Sequence, residues 1–235
     1  MPGNNINNKN ALKPIVAGIL AFLFLASVSV LMKIEINNGA TIEWAIFTQV
    51  ATGFVIMLVI ASKNHFRDLK TSNLKYHLVR GIGGVAAFAF TVIAISKIPL
   101  VDASLLNNTA PLFIPMITLI WLRTKIDKKI WWGILIGFVG IIFILDPKED
   151  DLLNSGDLYG IAAGISLAIA YVALGVLTKT ESFISILFYY AIIASALSLP
   201  FAILNWSNPP LLIWIYAVTA GTLFIAYSFL LQFAY

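Results

Sequence analysis

The stretch Leu100–Leu122, LVDASLLNNTAPLFIPMITLIWL, decides what kind of protein this is. As a helix, its 23 residues would extend about 35 Å, which is enough to cross the roughly 30 Å hydrocarbon core of a bilayer. Ser104, Asn108, Pro111 and Pro115 recur at the spacing of one helix face. The stretch is therefore predicted to be a transmembrane helix with one polar face.

The two prolines interrupt the backbone hydrogen bonds of this helix. Pro111 cannot donate to the carbonyl of Asn107, and Pro115 leaves the carbonyl of Pro111 without a partner. Free carbonyls beside Asn107, Asn108 and Thr109 form a polar patch at membrane depth, which is tolerated only against protein or a water-filled cavity. We interpret the span as a solute-contacting helix with a hinge at Pro111 and Pro115. The alternative is a static kink, stabilised by hydrogen bonds to neighbouring helices.

The composition extends this interpretation to the whole chain. Of its 235 residues, 60% are apolar and 11% charged, against about 45–50% and about 25% in soluble domains. A single soluble domain and a disordered chain are both excluded. Since the chain has no cysteine, it has no disulfides or thiolate metal sites. We expect lipid as a partner, and neither a cofactor nor nucleic acid.

Eight apolar segments predict an all-α membrane bundle, because continuous apolar runs without alternation indicate helices rather than barrel strands. The segments are Pro14–Met32, Ile42–Ala61, Leu78–Ser96, Leu100–Leu122, Ile130–Leu145, Leu158–Leu177, Phe183–Leu204 and Leu211–Ala234. With a cytoplasmic N-terminus, twelve of the fifteen Lys and Arg residues lie in inner segments and eight of the eleven acidic residues lie outside. This asymmetry predicts that orientation, and all six tryptophans lie near span ends.

The first and sixth spans match after a shift of 146 residues. Ala17-Gly18-Ile19 falls on Ala163-Gly164-Ile165, and Lys33-x-Glu35 falls on Lys179-x-Glu181. A repeat unit of five helices is odd, so the second copy must enter the membrane from the opposite side, which is typical of transporters. The predicted organisation is a cytoplasmic tail (1–13), a first repeat (14–145), an acidic external loop (146–157) and a second repeat (158–235). The second repeat is expected to be incomplete, with two helices fewer than the first.

The fourth and fifth spans resemble the EamA-type members of the drug/metabolite transporter superfamily. The resemblance rests on the quoted small-residue helix with its central proline, a short basic loop, and a helix with Gly133, Gly137 and Gly140. The family pattern has a Gly-Glu pair where this chain has Arg123-Thr124. The resemblance implies a ten-helix carrier of small organic solutes. It also implies a central cavity lined by the first, third and fourth helices and their counterparts.

Polar groups inside apolar runs are further candidates for solute contact. They are Ser27, Ser29, Gln49, Thr91, Ser104, Tyr171, Tyr227, Ser228 and Gln232. Single Ser and Thr side chains usually bond back to their own helix, so Gln49, Tyr171 and Gln232 are the more informative. The three glycines of the fifth span share one face, predicted to be static helix packing or a sliding or dimer surface. Asp102, at the start of the fourth span, is interpreted as a proton or cation site or as an interfacial charge. The other carboxylate within a predicted span is Glu43, the second residue of Ile42–Ala61.

These features favour a secondary carrier of small metabolites in a bacterial inner membrane, with a homodimer as an open alternative to a monomer. An intramembrane enzyme needs paired acids, a nucleophile with its base, or histidine clusters at depth, and the predicted spans contain none. A channel would need a charged ring or a filter loop. The remaining alternative is a non-transporting membrane remnant or subunit.

The charge asymmetry yields a test of orientation. The loop at 64–73 is predicted to be cytoplasmic, so a single cysteine at Asn73 should resist an impermeant maleimide added to sealed cells and react after permeabilisation. Rapid labelling from outside in sealed cells would contradict the orientation.

Overall fold

The computed structural model describes residues 8–63, 66–124, 126–145 and 154–234. Over these residues the chain forms nine α-helices and one short 3₁₀ turn at Arg67–Leu69, and it contains no strand. The helices are α1 (Asn8–Asn37), α2 (Ile42–Lys63), α3 (Leu74–Ile95), α4 (Leu100–Asn107), α5 (Ala110–Leu122), α6 (Lys128–Leu145), α7 (Ser155–Leu177), α8 (Phe183–Leu204) and α9 (Leu211–Ala234).

The predicted all-α membrane architecture is confirmed. Within the described ranges, seven segments are long and apolar enough to cross a bilayer, and α4 with α5 forms one of them. Each of the eight predicted spans is helical, and the fourth divides into α4 and α5. Helix α6 has 18 residues, begins with Lys128-Lys129 and is not among the seven. Most of the predicted acidic loop, including Asp150 and Asp151, lies outside the described residues.

The first helix is longer than its apolar run predicted. It continues past Met32 to Asn37 and ends in a Schellman motif around Gly39, whose φ of +96° favours glycine. The Gly39 N–H donates to the Ile36 carbonyl at 3.2 Å, and the Ala40 N–H donates to the Glu35 carbonyl at 3.1 Å. Glu35 therefore lies within the helix and within a membrane-spanning segment, whereas the predicted span ended at Met32.

The helices form two compact units, the first containing α1, α2, α8 and α9. In this unit α9 packs against α1 and α2, and α2 packs against α8. The contact between α2 and α9 is close because Gly221 has no side chain. A Cβ built there would lie 2.6 Å from Cβ of Thr52 and 2.8 Å from the carbonyl oxygen of Gln49.

Hydrogen bonds join α2 and α8 near both of their ends. Before α2 begins, the Thr41 hydroxyl donates to the Asn205 carbonyl at 2.6 Å, just after α8 ends. Beyond the other end of α2, the Tyr189 hydroxyl of α8 donates to the Leu69 carbonyl at 3.1 Å. The two helices therefore run antiparallel. An inverted repeat requires the second helix of one copy to be antiparallel to the second helix of the other.

The second unit contains α3 to α7. Its central helix is α7, which packs against α3, α4 and α5. A capping box begins α7: the Asn154 side chain accepts from the Gly156 N–H at 3.2 Å, and the Asp157 carboxylate accepts from the Asn154 N–H at 3.0 Å. Each unit thus contains helices from both predicted repeats, so neither unit corresponds to one repeat.

The end of α5 gives a stability prediction. Arg123 follows the helix with a φ of +52°, in the left-handed region where glycine is favoured. Replacing Arg123 with Gly should raise the free energy of unfolding by about 1 kcal/mol, because a side chain at such a φ costs about that much. Thermal unfolding in detergent measures the change.

Thr124→Gly is the matched control, since Thr124 has no positive φ. There the substitution only adds freedom to the unfolded chain, so it should be neutral or destabilising. Equal losses of stability for both variants would contradict the explanation.

Candidate functional site

The fourth span is broken at Asn108 and Thr109, between α4 and α5. Pro111 occupies the first turn of α5, where its missing N–H and fixed φ are tolerated. The predicted interruption is therefore present as the start of a new helix rather than as a bend within one. Pro115 lies inside α5, and its role as a second hinge stays a prediction.

Tight local hydrogen bonds close the break. The Asn108 N–H donates to the Ser104 carbonyl at 3.0 Å, and the Thr109 N–H donates to the Leu106 carbonyl at 3.1 Å. The Leu112 N–H then donates to the Thr109 carbonyl at 2.9 Å. The carbonyl of Asn107 is the group that loses its helical partner, since residue 111 is a proline.

The side chains at the break are in three different situations. The Thr109 side chain is buried, and its hydroxyl donates to the Leu106 carbonyl at 2.6 Å. The Asn108 side chain is exposed, and its Nδ2 donates to the Ser104 carbonyl at 2.9 Å. The Oδ1 of half-buried Asn107 is shielded from solvent and has no hydrogen-bond partner in the described chain. Asn107 is thus the residue at the break with unused hydrogen-bonding capacity.

Helix α7 covers one side of the break with three glycines that recur every four residues, Gly156, Gly160 and Gly164. A Cβ on Gly164 would lie 2.6 Å from Thr109 Oγ1 and 2.9 Å from the Leu106 carbonyl oxygen. A Cβ on Gly160 would lie 2.7 Å from Cδ1 of Leu106. The irregular backbone is therefore shielded by protein on the α7 side. These glycines were not predicted to form a packing face, although their spacing was the available signal.

Of the three glycines on α6, one makes a close packing contact in the described chain, and the sliding or dimer surface stays a prediction. A Cβ on Gly137 would overlap the side chain of Leu112, so this glycine does permit close packing against α5. A Cβ on Gly133 or Gly140 would have no atom of the described chain within 4 Å. The packing contact is therefore made at Gly137 rather than by all three glycines.

The other candidates are divided between the units. In the second unit, Thr91 bonds back to the Ala87 carbonyl at 2.8 Å, and Tyr171 is half-buried on α7. In the first unit, Gln49 is buried with an unpartnered Oε1, and buried Tyr227 packs against the Phe224 ring at 5.8 Å. Gln232 belongs to α9, but its side chain lies outside the described residues.

The candidate serines follow the local pattern expected of hydroxyls in apolar helices. Ser27 donates to the Leu23 carbonyl at 2.9 Å and Ser29 to the Leu25 carbonyl at 3.1 Å. Ser228 donates to the Phe224 carbonyl at 2.8 Å. Their hydroxyls are thus used within their own helices, which leaves Asn107 and Gln49 as the informative polar groups.

Comparison with known proteins agrees with this combination of apolar helices and a broken fourth span. Residues 12–146, more than half of the chain, match the EamA-like transporter family. The chain belongs to this family. Like other EamA-like proteins, it is an integral membrane protein, and the family resemblance inferred from the fourth and fifth spans is confirmed.

Two curated relatives show the range of the family. An S-adenosylmethionine uptake transporter of Rickettsia bellii is 32% identical over 143 residues, or 61% of this chain and 49% of the relative. A pseudopaline exporter, CntI of Pseudomonas aeruginosa, is 26% identical over 192 residues, or 81% of this chain and 66% of the exporter. The chain thus spans about half the length of the Rickettsia bellii protein it matches.

One solved crystal structure shares the fold. It is 18% identical, with a TM-score of 0.63 over 94% of this chain and 78% of its own.

The contact at the break gives a second prediction. Gly164→Ala should destabilise the protein by about 1–3 kcal/mol, because its methyl group would be forced against Thr109 and a backbone carbonyl. Gly175→Ala on the same helix is the matched control, since nothing lies within 4 Å of its Cβ position. The control should be neutral or slightly stabilising, as alanine is the better helix former. Equal unfolding temperatures for the two variants would show that the close contact at Gly164 does not constrain the stability of the folded protein.

Proposed function

We propose that this protein is a secondary carrier that moves small polar metabolites across a bacterial inner membrane. The observation that carries the proposal is the shielded break at 107–109, where Pro111 offers no N–H to the Asn107 carbonyl. The side-chain oxygen of Asn107 has no hydrogen-bond partner in the described chain. Unsatisfied polar groups are costly at membrane depth. A solute that donates hydrogen bonds gives them partners, which explains why the sequence keeps them.

The family supports transport of a metabolite rather than of a simple ion. One relative is named for S-adenosylmethionine uptake and another for pseudopaline export. S-adenosylmethionine carries an amine, which donates hydrogen bonds, and an adenine ring that can stack on aromatic side chains. We propose a cargo of this class, with Asn107 accepting a hydrogen bond from its amine.

The remaining polar candidates are secondary contacts in this proposal. They are Ser104, Asn108 and Thr109 beside the break, Thr91 and Tyr171 elsewhere in the second unit, and Gln49, Tyr227 and Gln232 in the first unit. Gln49 ranks above the hydroxyl residues, because its buried Oε1 has no partner in the described chain. Pro111 and Pro115 are the proposed hinge residues.

The orientation proposed from charge has a cytoplasmic N-terminus. The basic stretch between α2 and α3 then lies at the inner leaflet, where anionic lipids attract Lys and Arg. Lipid and a small solute are the proposed partners, and a homodimer remains the proposed alternative to a monomer.

Asn107→Leu tests the function directly. Wild-type protein in proteoliposomes preloaded with unlabelled S-adenosylmethionine should take up labelled S-adenosylmethionine by counterflow. The Asn107→Leu variant should need an external substrate concentration about tenfold higher for the same uptake rate. Tenfold corresponds to about 1.4 kcal/mol, the contribution of one buried hydrogen bond. Asn108→Leu should have a smaller effect, because the Asn108 side chain is exposed and already bonded to its own helix.

Asn205→Leu is the matched control. Asn205 is also exposed at the end of a helix, and its Nδ2 donates to the Phe201 carbonyl at 3.2 Å. This variant should transport like wild type. Wild-type rates for Asn107→Leu would contradict the role of the break, and absence of counterflow in the folded wild type would contradict the proposed cargo.

A further inference from the structure

Glu35 is a buried carboxylic acid. It lies in the last turn of α1, its side chain is 1% exposed, and its Oε1 has no hydrogen-bond partner in the described chain. Its backbone carbonyl is engaged in the Schellman motif, where it accepts from the Ala40 N–H. The backbone of Glu35 is therefore tied to the turn that joins α1 to α2.

The end of the first unit that contains Glu35 has a buried apolar cluster. Met32, one turn earlier on α1, packs against a buried cluster that includes Ala40 and Trp44 of this end of the unit and Ile213 of α9. Trp44 is 0% exposed, and its Nε1 also has no hydrogen-bond partner in the described chain. A buried acceptor and a buried donor thus remain unused at the same end of the first unit.

No opposite charge is paired with this carboxyl in the part of the chain that the structure describes. Helix α9, the main neighbour of α1, carries no charged residue, and its ionisable groups are the hydroxyls of Tyr216 and Tyr227. Helix α2 contributes half-buried Glu43 at this end and Lys63 at its far end. On α1 itself, Lys33 is exposed.

The repeat-related residue has a different environment. Lys33-x-Glu35 corresponds to Lys179-x-Glu181 in the second copy. Glu181 is half-buried, and its Oε1 accepts a hydrogen bond from the Thr71 hydroxyl at 2.7 Å. The carboxyl of Glu181 is thus stabilised by a polar partner, whereas that of Glu35 is not.

Hydrogen bonds hold the turn that follows Glu35. Thr41 follows the α1–α2 turn directly, and its N–H donates to the Ser207 hydroxyl at 3.0 Å while its own hydroxyl donates to the Asn205 carbonyl. These bonds hold the turn against the loop between α8 and α9. We call Thr41, Asn205 and Ser207 the outer latch. Releasing the latch frees the turn whose Ala40 N–H is bonded to Glu35.

We propose that Glu35 is a proton-binding site, occupied while the outer latch is closed and emptied when the latch opens. An ionised carboxylate is strongly disfavoured in a buried site without a cation or hydrogen-bond donors, so the closed latch retains the proton. Water that enters through the open latch solvates the carboxylate and accepts the proton. The inference rests on the proposed carrier function, because opening of this end is taken as a step of its access cycle.

Carbodiimide labelling tests this site without any transported solute. N,N′-dicyclohexylcarbodiimide dissolves in the membrane and reacts with protonated, poorly hydrated carboxyls. Peptide mass spectrometry of the full-length protein in lipid nanodiscs should find the adduct on Glu35 at pH 6 and at least fivefold less at pH 9. Glu35→Gln should remove this adduct, and Glu43→Gln should leave it unchanged.

A cross-link then tests the coupling to the latch. The chain has no cysteine of its own, and the Thr41 and Ser207 hydroxyl oxygens are 3.4 Å apart, so a Thr41→Cys, Ser207→Cys pair is placed for a disulfide. In the oxidised protein, Glu35 should be labelled equally at pH 6 and pH 9. Reduction should restore the fivefold loss.

Each alternative result has a definite meaning. Loss of labelling at pH 9 in the locked protein, or no labelling of Glu35 in either form, would overturn the proposal. Equal labelling at both pH values without the lock would also overturn it, because a purely structural acid behaves in that way. The locked comparison keeps Glu35, so it does not depend on the folding of Glu35→Gln. Failure of S-adenosylmethionine counterflow with these labelling results intact would count against the cargo alone.

Discussion

The rest of this structure depends on one constraint: no backbone polar group can remain without a partner against lipid. The fourth span violates helical continuity at Asn108 and Thr109, where a proline has replaced an N–H donor. The chain accommodates this by tightening the turn and by bringing α7 so close that Gly164 packs against the break. The glycines of α7 and the prolines of the fourth span are therefore two parts of one arrangement.

The spans could be predicted because each is a continuous apolar run, and lipid leaves such a run few alternatives to a helix. The break could be predicted because the chemistry of Pro111 is local. Contacts between helices could not, since the spacing of glycines is the same whether a neighbour is present or absent. Gly133 and Gly140 have no neighbour within 4 Å in the described chain, whereas Gly156 and Gly160, which were not predicted to pack, have close ones. The position of Glu35 inside α1 was not predicted for another reason. The hydropathy of the sequence falls before α1 ends, and the Schellman motif rather than the composition determines where α1 ends.

The way in which the two predicted repeats pack together affects stability. Helices α2 and α8 come from different predicted repeats, yet they are hydrogen-bonded near both ends within one unit. Helix α7, from the second copy, is the central packing helix of the unit that otherwise contains first-copy helices. Neither copy can therefore complete its packing before the other has been inserted, and long-range contacts of this kind slow folding.

The contact between Gly164 and Thr109 also restricts how the family can diversify. One side of the broken span is fixed, because any larger residue at position 164 meets a hydroxyl and a backbone oxygen. The exposed side, which carries Asn108 and Pro111, has no such restriction. Single substitutions can therefore accumulate on that side, whereas a substitution on the α7 side must be accompanied by a compensating one. Relatives that handle different compounds should consequently differ at 108 far more freely than at 164.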